Sequence, residues 1–294
     1  MCMVFGWGVS GRPFRALRVF GVGVPNCGGG VMSWILGYIG RVVLNGLYAA
    51  AAVCVLMVDT VNWVVVQPLR GKGLRLKSTL EHVVEFGVRS MPIVGLICFL
   101  IGVIMAMQSA YTLEKWGAVK LMANLVGVSS LRELAPLMAA IIITGRCGAA
   151  ITAEIGTMKV AEEIDALMVM GLHPTKFLVV PKFLAMLIAL PCVTVLSMMI
   201  MILGGMAVGV FMVGLDGGIY FEQTAGALEL KDLLTGLIKS VFFALVICWV
   251  GVFRGFQVSG GAEGVGRETT ASVVISIFLI IVVDLAWTAV FYMA

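Results

Sequence analysis

"GRCGAAITAEIGTMKVAEEIDALMVMG", residues 145–171, opens in the manner of a membrane helix and closes in the manner of a soluble one. Its first half is small and apolar, interrupted only by Arg146 and Glu154, while its second half sets Glu162, Glu163 and Asp165 close together. A chain that crosses lipid and then emerges into water changes character in this way, because hydrocarbon excludes charge and water demands it. The stretch therefore predicts a span that ends near Gly156 and a short helix outside it.

The whole chain agrees. Its 294 residues are 61% hydrophobic and only 12% charged, with a mean hydropathy of +1.10. A soluble surface needs far more charge, so the class is integral membrane protein, all-α. A net charge of +4 makes no case for nucleic acid. Cys2, Cys27, Cys54, Cys98, Cys147, Cys192 and Cys248 are scattered, and His82 and His173 stand alone, so no metal-ligand spacing and no catalytic constellation appears. No GxxxxGK[ST] occurs: "GLIKS" at 236–240 lacks the preceding glycine and lies in an apolar run. "GGAEGVGR" at 260–267 is expected to form a tight turn before the last span.

Runs of about 20 apolar residues mark the crossings. They fall near 90–113, 134–156, 177–213, 233–253 and 271–293, five in all. The third includes Phe183–Leu215, uncharged for 33 residues, which suits one long helix, kinked or tilted at Pro191 or Gly204-Gly205. The segments 68–90, 146–182 and 252–268 hold eleven Lys and Arg, against four in 114–132 and 214–232. The positive-inside rule places the first set in the cytoplasm and the C-terminus outside. Residues 32–67 are apolar enough to span, yet basic residues flank both ends; this favours an interfacial or re-entrant helix over a sixth span. Residues 1–31 read as a poorly structured N-terminal extension, with Met1 and Met32 both candidate starts, and 32–294 as a single membrane domain.

Within the second span, Ala140, Thr144, Gly148, Thr152 and Gly156 recur every fourth residue, a pattern that lets helices approach closely, either inside one subunit or near a subunit interface. Arg146 falls about 18 Å into this helix, where it should face protein or a wet cavity. Glu154 lies about 12 Å further, near the inner surface, and is expected to snorkel. Beyond it, Lys159–Met170 can form an amphipathic helix, with Val160, Ile164 and Leu167 on one stripe and the three acids opposite; Gly171 is its expected stop. Lys239 and Asp284 are expected at matching depths from the outer face, about 9 and 13 Å, and so to pair; the plainer alternative is that Lys239 snorkels outward and Asp284 faces a wet cavity.

Three stretches are similar to the MlaE (YrbE-type) permeases of lipid-transporting, MCE-associated ABC systems: "RELAPLMAAIIITGRCGAAITAEIGTMKVAEEIDALMVMGLHPTKFLVVPKFLA" at 132–185, "LIKSVFFALVICWVGVFRGF" at 237–256 and "GGAEGVGRETTASVV" at 260–274. The resemblance runs from about residue 33 to the end. It implies an N-terminal membrane-embedded helix plus five spans. It also implies a homodimer with two ATPase subunits on the cytoplasmic side, which bind ATP and Mg, and an MCE-domain substrate-binding protein on the outer side. The cargo would be phospholipid or a related lipid. The permease itself is no enzyme and carries no cofactor. Lys159, Val160, Glu162, Glu163, Ile164, Asp165 and Leu167 would then belong to a helix that couples to the ATPase.

By position, the outer end of the first span and the start of the second would line a lipid cavity through Met107, Tyr111, Leu113, Trp116, Arg132, Glu133 and Leu134, with Arg132 meeting a phosphate; Arg132 and Glu133 as interfacial caps are the plainer alternative. A bacterial inner membrane is the expected location, with a chloroplast inner envelope as runner-up. Two other functions stay open: an ion-coupled secondary transporter using Arg146, Glu154, Lys239 and Asp284, and a non-transporting membrane scaffold.

Overall fold

A computed structural model describes residues 6–7, 13–14, 53, 55–66 and 76–293. The chain falls into two compact units, Met1–Lys72 and Gly73–Ala294. In the first, β1 (Gly6–Trp7) and β2 (Pro13–Phe14) pair antiparallel, Gly6 opposite Phe14. Here too lies a short apolar helix, α1 (Val55–Val64), which passes into a π-helical turn at Asn62–Val66. Ten residues rise about 15 Å, half the hydrocarbon thickness. The rest of the expected 32–67 helix lies outside the described residues.

The second unit is built from α2 (Leu76–Phe86), α3 (Met91–Glu114), α4 (Met122–Val160), α5 (Glu163–Val169), α6 (Thr175–Phe211), α7 (Gly217–Ala227), α8 (Leu230–Gln257) and α9 (Gly261–Met293). Five stretches are long and apolar enough to cross a membrane: α2 with α3, then α4, α6, α8 and α9. Four of the five expected spans lie within them, and the third, 177–213, runs two residues past the end of α6 at Phe211. The uncharged run around Pro191 is one helix, Val180–Phe211, about 48 Å long.

Helices α3 and α6 approach backbone to backbone at two glycines. A Cβ on Gly102 would sit 2.1 Å from the Met201 carbonyl oxygen, and one on Gly204 would sit 2.4 Å from that of Phe99. Each glycine thus faces the other helix's backbone three residues from the other glycine, the close approach that small residues permit in lipid. On α4, the small-residue stripe is buried and packs within the chain. Gly148 abuts Ile247, and the Thr152 hydroxyl lies 3.0 Å from the carbonyls of Gly148 and Gly251 and 2.9 Å from Ser272 Oγ. One side chain therefore joins α4, α8 and α9.

The segments 114–132 and 214–232, expected as outer loops, are largely helical. Helix α4 already begins at Met122, and α7 occupies Gly217–Ala227. They fold because they share a small core of their own, Ala106, Met122, Ala123, Val126, Val208 and Tyr220. The Tyr220 ring lies where a Cβ on Gly209 would be 2.8 Å away, so α6 is smooth at the place where α7 docks. Burial pushes the Tyr220 phenol up from 10.0 to about 12. A neutral group favoured by folding contributes its full stability below pH 10 and loses it as pH rises through about 12. In an alkaline phenolate titration Tyr220 should ionise late, together with loosening of α7, and Tyr220→Phe should delete that step. The glycine-rich 260–267 stretch also departs from expectation. Its turn is confined to Gly260 and Gly261, at φ +88° and +72°, and the remainder is the first part of α9, which Gly261 opens.

Candidate functional site

Charged side chains gather at two levels of the bundle. At the outer end, Lys239 on α8 is completely buried, with Nζ 2.9 Å from Asp284 Oδ1 on α9. This is the expected pair. A third member joins it: Glu133 Oε2 on α4 lies 2.5 Å from the same Nζ. The Thr288 hydroxyl, 2.8 Å from Lys239 and 2.9 Å from Glu133 Oε1, closes the cluster. Glu133 is thus neither a simple interfacial cap nor a freely cavity-facing group; it is drawn to the buried cation because an ammonium in an apolar bundle needs every acceptor within reach.

One residue away, Arg132 donates from Nε to Asp232, itself buried. Asp232 also completes a capping box with Glu229 at the start of α8, its Oδ2 3.1 Å from the Glu229 amide. Asp232 and Thr288 were not foreseen. The signals were present: Asp232 is seven residues before Lys239, hence on the same helix face, and Thr288 is four after Asp284. Arg132 and Glu133 both sit in a π-helical turn, Ser130–Leu134, which turns them together toward α8.

Among the other candidates for a lipid surface, Met107, Tyr111 and Trp116 are exposed and Leu134 is half-buried. Leu113 is half-buried and packs against the small outer core. The ring of Tyr111 is covered by Lys115, whose Nζ lies 4.4 Å from the centroid.

Deeper in, Arg146 occupies a second π-helical turn of α4, Thr144–Gly148, and its Nη1 donates to Ser90 Oγ at 2.5 Å. The guanidinium is exposed, and no acid pairs with it among the described residues. Glu154 does not simply snorkel. It accepts from Lys182, a wholly buried ammonium on α6, at 2.5 Å. Lys182 was counted only as a cytoplasmic positive charge, and its position beside Pro181 inside an apolar run was the missed signal.

At the opposite end of the bundle the expected single helix Lys159–Met170 is two pieces. Helix α4 stops at Val160, Glu162 adopts a left-handed conformation at φ +59°, and α5 runs Glu163–Val169. The proposed stripe is broken for that reason: Ile164 and Leu167 are buried against this chain, whereas Val160 is exposed. The outward face of α5 instead carries Glu162, Glu163 and Asp165 beside Val169, Met170 and Leu172. Lys159 turns back to the Phe256 carbonyl, 2.5 Å away. Gly171, at φ +75°, ends the helix as expected: its amide donates to Met168 and that of Leu172 to Leu167, the paired bonds of a Schellman motif. Among the described residues no group of His, Cys, Asp and Glu is arranged to hold a metal.

Comparison with known proteins adds a family to this geometry. The family model described as Permease MlaE matches residues 79–290. A probable ABC transporter permease protein of Rickettsia typhi is 36% identical over 209 residues, 71% of this chain and 81% of that protein. The intermembrane phospholipid transport system permease protein MlaE of Haemophilus influenzae is 34% identical over 207 residues, 70% and 79% of the two chains. A probable ABC transporter permease protein of Synechocystis is 34% identical over 221 residues, 74% and 84%. With five spans, an amphipathic inner connection and a similarity that covers most of its length, this chain is a multi-pass membrane protein that belongs to the MlaE permease family.

Proposed function

We propose that the chain is the membrane-spanning subunit of an ABC transporter that moves phospholipid or a related lipid between the bacterial inner membrane and an MCE-domain partner. It acts as a homodimer, with two separate ATPase subunits binding ATP and Mg. The observation that carries this is the family match over 79–290, together with a relative named for intermembrane phospholipid transport. Two features support it. Val274, Phe278, Ile281 and Leu285 form an exposed apolar face along α9, suited to lipid or a second copy. The outward face of α5 supplies acids around exposed Val169 and Met170, a small apolar tip with a charged rim, as a docking surface requires. Glu162 holds a conformation that costs a non-glycine residue about 1 kcal/mol, which fits a position kept for its carboxylate.

The test is reconstitution with the ATPase and a lipid acceptor. Lipid transfer should require ATP hydrolysis; transfer that follows a proton gradient without ATP would favour the ion-coupled alternative. Against that alternative, Lys239 forms ion pairs with Glu133 and Asp284, and Lys182 with Glu154, in separate clusters with no described relay between them. Reversing Glu163 and Asp165 to Lys should release the ATPase, lowering its co-purification at least tenfold, and leave the membrane domain folded. Undiminished ATPase binding by that variant would remove α5 from the interface.

A further inference from the structure

We infer that the outer charge network selects the lipid headgroup, favouring a phospholipid with a free ammonium over an anionic one. This rests on the phospholipid reading above and adds a substrate class to it. The network holds Arg132 and Lys239 against Glu133, Asp232 and Asp284, one negative charge in excess. The location of the excess follows from the contacts. Asp232 is buried and satisfied by Arg132 and the first turn of α8. Lys239, by contrast, is one cation facing two carboxylates. Of these two, Glu133 is the reachable one, its side chain 37% exposed against 15% for Asp284.

Its neighbour Arg132 is 52% exposed, with Nε committed to Asp232 and no second acid paired to it among the described residues. The accessible ends of the network are therefore one guanidinium and one carboxylate on successive residues of a single π-helical turn. Each is held from behind by a buried opposite charge on α8, Asp232 or Lys239. A complementary ligand carries a phosphate and, a short linker away, an ammonium. The phosphate takes the donors of Arg132, as a planar guanidinium favours. The ammonium offsets the excess charge at Glu133, which is costly in apolar surroundings. An anionic headgroup would instead bring a second negative charge beside the first.

The test uses the purified full chain in mild detergent, exchanged against equal amounts of phosphatidylethanolamine and phosphatidylglycerol with matched acyl chains. Retained lipid is then quantified by mass spectrometry. Wild type should retain the ethanolamine lipid in about fivefold excess, the effect of one partly exposed charge. Glu133→Gln should return the ratio to that of the bulk, and Glu133→Asp should keep the excess. Asp284→Asn also removes the surplus charge without touching the exposed carboxylate, so it too should flatten the ratio. Retained lipid at the bulk ratio in wild type, or an excess that survives both Glu133→Gln and Asp284→Asn, overturns the inference and leaves the lipid reading standing. No retained phospholipid of either kind in wild type overturns both.

Discussion

Lys239→Met should remove most of the folded protein from the membrane fraction, whereas Asp284→Asn should be tolerated. The asymmetry comes from the three-membered cluster. Among the described residues Lys239 is the single cation paired with Glu133 and Asp284, so its loss strands two carboxylates in an apolar bundle. Removing one partner of a buried pair costs about 3–5 kcal/mol, which is comparable to the whole stability of many domains. Loss of Asp284 leaves Lys239 still bound to Glu133 and to the Thr288 hydroxyl. A simple two-residue pair predicts something different, equal damage from either side. Thermal unfolding by intrinsic fluorescence of the detergent-solubilised variants separates the two. In the same measurement Lys239→Met combined with Asp284→Asn and Glu133→Gln should recover much of what the first change loses, since no stranded charge remains.

The second large effect lies far from any charge. Gly102→Val should separate α3 from α6 and cost about 3 kcal/mol or more, because the new side chain meets a backbone carbonyl that has no rotamer to yield. Gly204→Val should do the same from the other side. The two contacts are reciprocal across one crossing, so the double variant should be little worse than either single one. Strict additivity would mean that the helices do not meet at these glycines.

Elements that cross the membrane were legible because a bilayer demands long uncharged runs, and these stand out whatever surrounds them. The Lys239–Asp284 pair was legible for a related reason: residue counts along consecutive antiparallel spans give depth directly. Counting gives no lateral position, however. That Glu133, 106 residues earlier, shares Lys239 depends on which faces of α4 and α8 meet. The same blindness hid Lys182 as the partner of Glu154. Helix α7 was missed because Gly217, Gly218 and Gly226 lower its intrinsic helicity, and it forms on the support of Tyr220 packed on α6. The inner connection was misread at one residue. A regular amphipathic period carried through Glu162 puts Val160 and Ile164 on one stripe, but a left-handed residue there breaks the phase, and glutamate gives no warning of it.

The two π-helical turns of α4 have a mechanical consequence. Each is a place where the helix is wound more loosely than its neighbours, and so carries material that a regular helix would not. They divide α4 into an inner segment locked to α8 and α9 through Thr152, a middle segment, and an outer segment, Met122–Ser129, with Arg132 and Glu133 in the turn that joins the last two. Tightening either turn to a regular helix would rotate the segment beyond it by about 100° per residue absorbed. Helix α4 is thus geared: a small change of winding at Thr144–Gly148, where Arg146 sits, swings the outer charges relative to their buried partners while the inner seam stays still.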